Sequence, residues 1–225
     1  MPFPVILKLY TGDGDVLDRI VAGGEQAHGA IGTRGLQLLL GRHADHRAAQ
    51  AGIQRIVFGS GAARHIPEGC ASERAREQFT TLLSDLVPLA RRNHLQVVLE
   101  PLNPGECNFI TKVRAAAEIV RAVADPAIRL LADLYHMARA GETPADLAAV
   151  TDLLAHVHLA EHAERTAPGV AGDDFRPFLA VLRRAGYDQR MSLECGRFDL
   201  LTELELGLAT IRRQWQDTAL RTAAA

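Results

Sequence analysis

Residues 128–134 read IRLLADL and residues 156–161 read HVHLAE, two short aliphatic runs that each end on ionisable side chains. Runs of this length, bounded by longer segments of helical periodicity, are the mark of parallel strands with helical crossovers. Working outward from these two, the same pattern recurs at 95–102 (LQVVLEPL), 191–195 (MSLEC) and 53–59 (IQRIVFG). Helices are expected between them, at 71–93, 111–124, 144–154, 174–185 and 200–216. Ser72 with Glu73, Thr111, and Thr143 before Pro144 read as helix starts, because a side-chain oxygen can satisfy free amides there and proline suits the first turn.

Five βα units in series without a GxGxxG turn favour an α/β fold of the (β/α) TIM-type barrel over a doubly wound dinucleotide sheet. A single barrel domain over 1–225 is expected. The first 50 residues are the least regular part, rich in glycine (Gly12, Gly14, Gly23 and Gly24 among them), so 1–50 reads as irregular. The alanine-rich end, 222–225, reads as frayed.

Composition narrows the function classes. The chain has 225 residues, 48% hydrophobic and 23% charged, with 25 Lys and Arg against 27 Asp and Glu. A net charge of -2 offers no overall positive field for a nucleic-acid backbone, so neither DNA nor RNA is an expected partner. The start, MPFPVILKLYTGDGD, has no basic region followed by an apolar run, and no later stretch approaches the ~18 apolar residues of a span. No membrane association is expected, and a cytoplasmic location is. Cys70, Cys107 and Cys195 are odd in number and lack CxxC spacing, which fits a reducing compartment and unpaired bystanders.

Chemistry enters where the strands end. Glu100, Asp133, His158 and Glu194 each stand at or near the end of an expected strand. A parallel barrel gathers its site at that end, so four strands would aim four donors at one point. Any one of these residues is more often a cap or loop residue, but three carboxylates in apolar surroundings are costly to bury unless a shared cation holds them together. Three carboxylates and an imidazole form a fairly hard donor set, suited to one divalent metal ion such as Mn, Mg or Co, with Zn also acceptable. His156 alternates with His158 and shares its face, so geometry leaves either as the ligand. His28, His43, His46, His65, His94 and His162 read as surface or loop residues, and the turn Gly59-Ser60-Gly61 reads as a plain tight turn rather than an approach of backbone amides to a phosphate or sugar.

The ordered stretches VFGSG (57–61), LEPLNPGE (99–106), DLYHM (133–137), HVHLAEHAERTAPG (156–169) and SLEC (192–195) resemble the xylose isomerase-like TIM barrel superfamily over about residues 46–215. Its members include sugar phosphate isomerases/epimerases, ketohexose 3-epimerases, hydroxypyruvate isomerases and inosose-processing enzymes. The resemblance implies that Glu100, Asp133, His158 and Glu194 are metal ligands, His158 being chosen over His156, and that Glu100 and Glu194 are the catalytic acid/base pair. It further implies that Glu106, His136 and Arg165 contact substrate oxygens. The implied reaction is isomerisation or epimerisation of a small sugar, sugar phosphate or hydroxy-oxo acid through an enediolate.

Full-length members of that superfamily place more βα units ahead of the matched region than 50 residues can supply. An incomplete or rearranged barrel at the N-terminus is therefore expected, with a homodimer as one way to cover exposed strand edges. Two competing functions follow. One is a non-catalytic metal-binding remnant, and the other is a phosphodiesterase of the apurinic-endonuclease type, which would need further metals and a basic surface.

Overall fold

The computed structural model describes residues 55–59, 61, 64–196 and 202–222. Expectations for residues 1–50, and for His28, His43 and His46, lie outside that set. Five strands form one parallel sheet in sequence order: β1 (Arg55–Phe58), β2 (Gln96–Leu99), β3 (Ile128–Asp133), β4 (Leu154–Leu159) and β5 (Arg190–Leu193). All four pairings are parallel, as strands joined by helical crossovers are. Six α-helices accompany the described strands: α1 (Ser72–Arg92), α2 (Val113–Val123), α3 (Leu134–Arg139), α4 (Pro144–Ala148), α5 (Arg176–Arg184) and α6 (Glu203–Thr222). The order is that of consecutive βα units in a barrel wall.

The main core lies between helices and sheet. In α1, Ala75, Phe79, Leu82, Leu83, Leu86 and Ala90 recur at three- and four-residue intervals and are buried, forming the apolar stripe that seats the helix. Phe79 stacks on Phe58 of β1 at 5.3 Å and meets Phe109 edge-on at 5.7 Å. Helix α2 buries Val113, Ala116, Ala117, Ile119 and Val120 in the same way and ends on Ala124 in the left-handed region, φ 54°.

Alternation along the strands assigns the other face. Val98 shares a face with Glu100 and Leu131 with Asp133. These two apolar residues, with Ala155 and partly buried Val57, form a small cluster apart from the main core. A register shift between Leu130 and Leu131 brings Leu131 opposite His156 and Asp133 opposite His158. The same face of β4 then meets β5 with His158 opposite Ser192.

Element boundaries differ from the sequence reading in several places. The helix expected over 144–154 breaks after Ala148 and resumes as a 3₁₀ turn at Thr151–Leu153. Strand β4 begins at Leu154, two residues before the expected start. An unexpected short helix, α3, follows β3 directly, capped by Asp133. The last helix runs to Thr222, past the expected end at 216. Of the expected helix starts, Thr143 is the N-cap of α4, with its N–H and hydroxyl both donating to Asp146 Oδ2. Ser72 and Thr111 cap nothing, since Ala71 and Lys112 hold those positions. Val113 N–H at the start of α2 is instead satisfied from a distance, by Glu142 Oε1 at 2.9 Å.

Candidate metal centre

Each donor of the site stands where a strand ends. Glu100 follows Leu99, Asp133 closes β3, His158 is the penultimate residue of β4, and Glu194 follows Leu193. One ligand atom from each lies within 4.8 Å of the others, and all four residues are buried. His158 Nδ1 is 2.8 Å from Glu100 Oε1 and 3.9 Å from Asp133 Oδ2, and it also contacts Glu194 Oε2. His156 is not part of the group: its Nε2 bonds Ser192 Oγ at 2.6 Å, and its ring meets that of His158 edge-on.

Crowding three carboxylates in a dry pocket distorts their titration. Burial raises the Asp133 pKa, and the charges of Glu100 and Glu194 push the same way against His158 and Arg165. Burial alone would lower that of His158, but hydrogen bonds to Glu100 and Glu194 outweigh it and raise the pKa. The pocket thus gathers negative charge faster than its own cations neutralise it. That is the electrostatic condition a divalent cation relieves, and the donor set is of the hard type such ions take. The residues present therefore fit a divalent metal ion.

Around the four donors lie the other expected residues. Arg165 is half-buried, with Nη2 3.4 Å from Asp133 Oδ2 and 3.3 Å from Glu194 Oε2, while its Nε donates to the Glu194 carbonyl at 3.0 Å. Its guanidinium lies 4.8 Å from the centre of the Tyr135 ring. His136 is buried at the start of α3, with Nε2 3.7 Å from Asp133 Oδ2. Burial, reinforced by the Arg165 charge, lowers its pKa to about 3, so the ring is neutral. Glu106 sits at the rim, its Oε1 3.8 Å from His136 Nδ1. The structure thus brings Glu100, Asp133, His158, Glu194, His136 and Arg165 together and leaves Glu106 at the edge. His65, His94 and His162 are exposed. Cys70, Cys107 and Cys195 carry free thiols, and burial pushes that of Cys195 up to about 12.

Four residues that strand-end reasoning passed over support this group. Asn103 bridges Glu106 and His136. Arg64, fully buried, donates to the carbonyls of Glu100 (2.7 Å) and Phe58 (3.4 Å) and so ties the ends of β1 and β2 together. Glu161, also fully buried, gathers the loop that carries Arg165: it accepts from the backbone of Gly169, Ala171, Gly172 and Asp173 and from the Thr166 hydroxyl. Gly59 leaves room for Glu100, since a Cβ there would stand 1.9 Å from Glu100 Oε2. Glycine at 59 therefore serves the close approach of a carboxylate. The one visible signal was position, as each residue lies within a few places of a strand end.

A family model described as the xylose isomerase-like TIM barrel matches residues 41–217. The chain belongs to that family. Among solved structures, an L-ribulose 3-epimerase is similar to this family member at 16% identity and a TM-score of 0.77, covering 96% of this chain and 85% of that one. The 3-keto-D-glucoside 4-epimerase YcjR from E. coli is similar at 22% identity and TM-score 0.66, covering 81% and 70%. IolI, in a structure with a bound zinc atom, is similar at 17% identity and TM-score 0.64, covering 82% and 68%. At these identities the likeness is one of fold. Comparison with curated proteins gave no match. Among the described residues, no helix of this family member is long and apolar enough to cross a membrane.

Proposed function

We propose that this chain is a divalent-metal-dependent isomerase or epimerase of a small sugar, sugar phosphate or hydroxy-oxo acid, acting as a single barrel domain. The observation that carries the reading is the convergence of Glu100, Asp133, His158 and Glu194 within 4.8 Å. A bound divalent cation would supply Lewis acidity, stabilising the negative charge that develops beside a substrate carbonyl when a proton leaves. All four residues would hold it.

The proton itself is the work of two side chains. Glu100 arrives from β2 and Glu194 from β5, with β3 and β4 between them, so the two carboxylates reach the centre from strands that are not neighbours. That arrangement suits removal of a proton by one glutamate and its return by the other to the opposite face of the carbon, or to the adjacent carbon. Arg165 and His136 would orient substrate oxygens, and Glu106 would take a hydroxyl at the rim. Fixed donors of this kind act by positioning and by electrostatic stabilisation already in place. The epimerases of similar fold support the class of reaction, and the zinc in IolI supports the metal dependence.

The test has two stages. Plasma mass spectrometry of the purified protein should find near-stoichiometric Mn, Mg, Co or Zn, lost in Asp133→Asn and Glu194→Gln. The metal-loaded protein should then place deuterium from D₂O beside the carbonyl of a keto sugar, with exchange cut by about 10²- to 10⁴-fold in Glu100→Gln. Metal-free protein after metal incubation would sink the reading. Metal without exchange across a panel of keto sugars and hydroxy-oxo acids would favour a non-catalytic remnant, and cleavage of abasic DNA would favour the phosphodiesterase.

A further inference from the structure

The orientation of one amide fixes the proton of a neighbouring imidazole. Asn103 Oδ1 accepts from Gly105 N–H at 2.9 Å, and a backbone N–H can only donate. On the other side of the amide, Nδ2 donates to Glu106 Oε1 at 2.8 Å. These two bonds distinguish the oxygen from the nitrogen of Asn103, which would otherwise be interchangeable. Nδ2 then lies 2.9 Å from His136 Nδ1, and the backbone N–H of Asn103 reaches the same ring nitrogen at 3.3 Å. Two donors meet at Nδ1, which must therefore be the acceptor.

We propose that Asn103 is a positioning residue that locks His136 in the tautomer with its proton on Nε2, so that the ring offers the centre a hydrogen-bond donor. Nε2 is the nitrogen nearer the metal-binding group, 3.7 Å from Asp133 Oδ2. The opposite tautomer would turn a lone pair toward that carboxylate and leave two donors facing an N–H. The backbone completes the arrangement: His136 N–H is held by Asp133 Oδ1 at 3.3 Å, at the capped start of α3. Resting on the isomerase reading for its functional meaning, the lock specifies what His136 can recognise. It selects an acceptor, such as a carbonyl oxygen or an oxyanion developing beside it, and rejects a group that can only donate.

The ring can be read directly. In protein labelled with ¹⁵N-histidine and loaded with diamagnetic Mg²⁺ or Zn²⁺, the His136 signals are those lost in His136→Gln. Long-range ¹H–¹⁵N correlation at neutral pH should show Nδ1 unprotonated and Nε2 protonated in the wild type. Asn103→Asp replaces the closer, side-chain donor at Nδ1 (2.9 Å) with a carboxylate acceptor, which outweighs the longer backbone N–H contact (3.3 Å) that remains, and should move the proton to Nδ1. A wild-type ring protonated at Nδ1 would overturn the assignment whether or not the variant folds, and an unchanged tautomer in a folded Asn103→Asp protein would overturn the role of Asn103. The measurement needs no substrate. The expected tautomer in a protein without deuterium exchange would support the lock while removing the isomerase reading, and the wrong tautomer in an active enzyme would do the reverse.

Discussion

The carboxylate of Glu100 and the bare Cα of Gly59 occupy adjoining space, and neither residue tolerates much change in the other. A methyl at 59 would fall 1.9 Å from Glu100 Oε2, so Gly59→Ala must displace the carboxylate or the turn. The expected outcome is at least a tenfold loss of metal affinity by calorimetric titration, with a stability cost of about 1–3 kcal/mol in urea melts. Gly141 is a suitable comparison: a Cβ there meets nothing within 4 Å but its φ is 68°, so Gly141→Ala should cost stability and spare metal binding. Arg165 offers a second single-residue test. Arg165→Met keeps an unbranched apolar stem and removes the charge shared between Asp133 and Glu194. A fall in kcat/KM of about 10²-fold is expected from lost positioning, with metal still bound by mass spectrometry. At this scale the four donors were legible in the sequence because an acid or histidine stands out at the end of an apolar run. Asn103 and Arg64 were not, because their meaning lies in partners 33 and 36 residues away. An Asn-Pro-Gly stretch reads locally as a turn and nothing more.

Among the elements, two buried glutamates do opposite things to stability. Glu142 caps α2 by accepting from Val113 N–H, yet burial, opposed by that hydrogen bond and abetted by Asp146, raises its pKa from 4.5 to about 7. Between those values the folded protein keeps a proton that the unfolded chain has released. Its contribution is therefore complete below pH 4.5 and is lost as pH rises through 7. Glu142→Gln retains an acceptor without a charge, so it should match the wild type near pH 4.5 and exceed it above pH 7. Because the carboxyl is not wholly screened from water, the gain should be about 1 kcal/mol by urea denaturation at pH 8, compared with pH 5. Glu161 behaves in the reverse sense. Burial would raise its pKa, but the amides of Ala171 and Gly169, the Thr166 hydroxyl and the amide of Gly172 lower it. Glu161→Gln puts an NH₂ among donors, and a destabilisation of about 2–4 kcal/mol is expected. Faster hydrogen exchange should be confined to residues 162–173, the loop that carries Arg165. Strand and helix order followed from periodicity alone. The breaks at 148 and at 133 did not, because the first depends on a capped five-residue helix and the second on Asp133 turning from strand residue to N-cap.

For the molecule as a whole, a cation at the centre would also act as a fastener. Its four donors come from β2, β3, β4 and β5, four consecutive strands of the parallel sheet, and parallel strands gain their neighbours only through long crossovers that close late in folding. A cation held by all four would bind the folded sheet and not the separated strands, so it should stabilise the protein by mass action. At a free metal concentration 100 times Kd the gain is about 2.7 kcal/mol. For a chain of this size that corresponds to roughly 5–10 °C in Tm. Differential scanning calorimetry of chelator-treated protein, with and without added Mn²⁺ or Mg²⁺, should show that rise and its dependence on metal concentration. Asp133→Asn removes one donor from the middle of the span while preserving much of the α3 cap, since an amide oxygen can still accept from Tyr135 N–H. It should therefore fold with a Tm that metal no longer moves. A metal-dependent Tm in that variant equal to that of the wild type would mean that the ion binds elsewhere, and the four strand ends would then be a charged core without a cation.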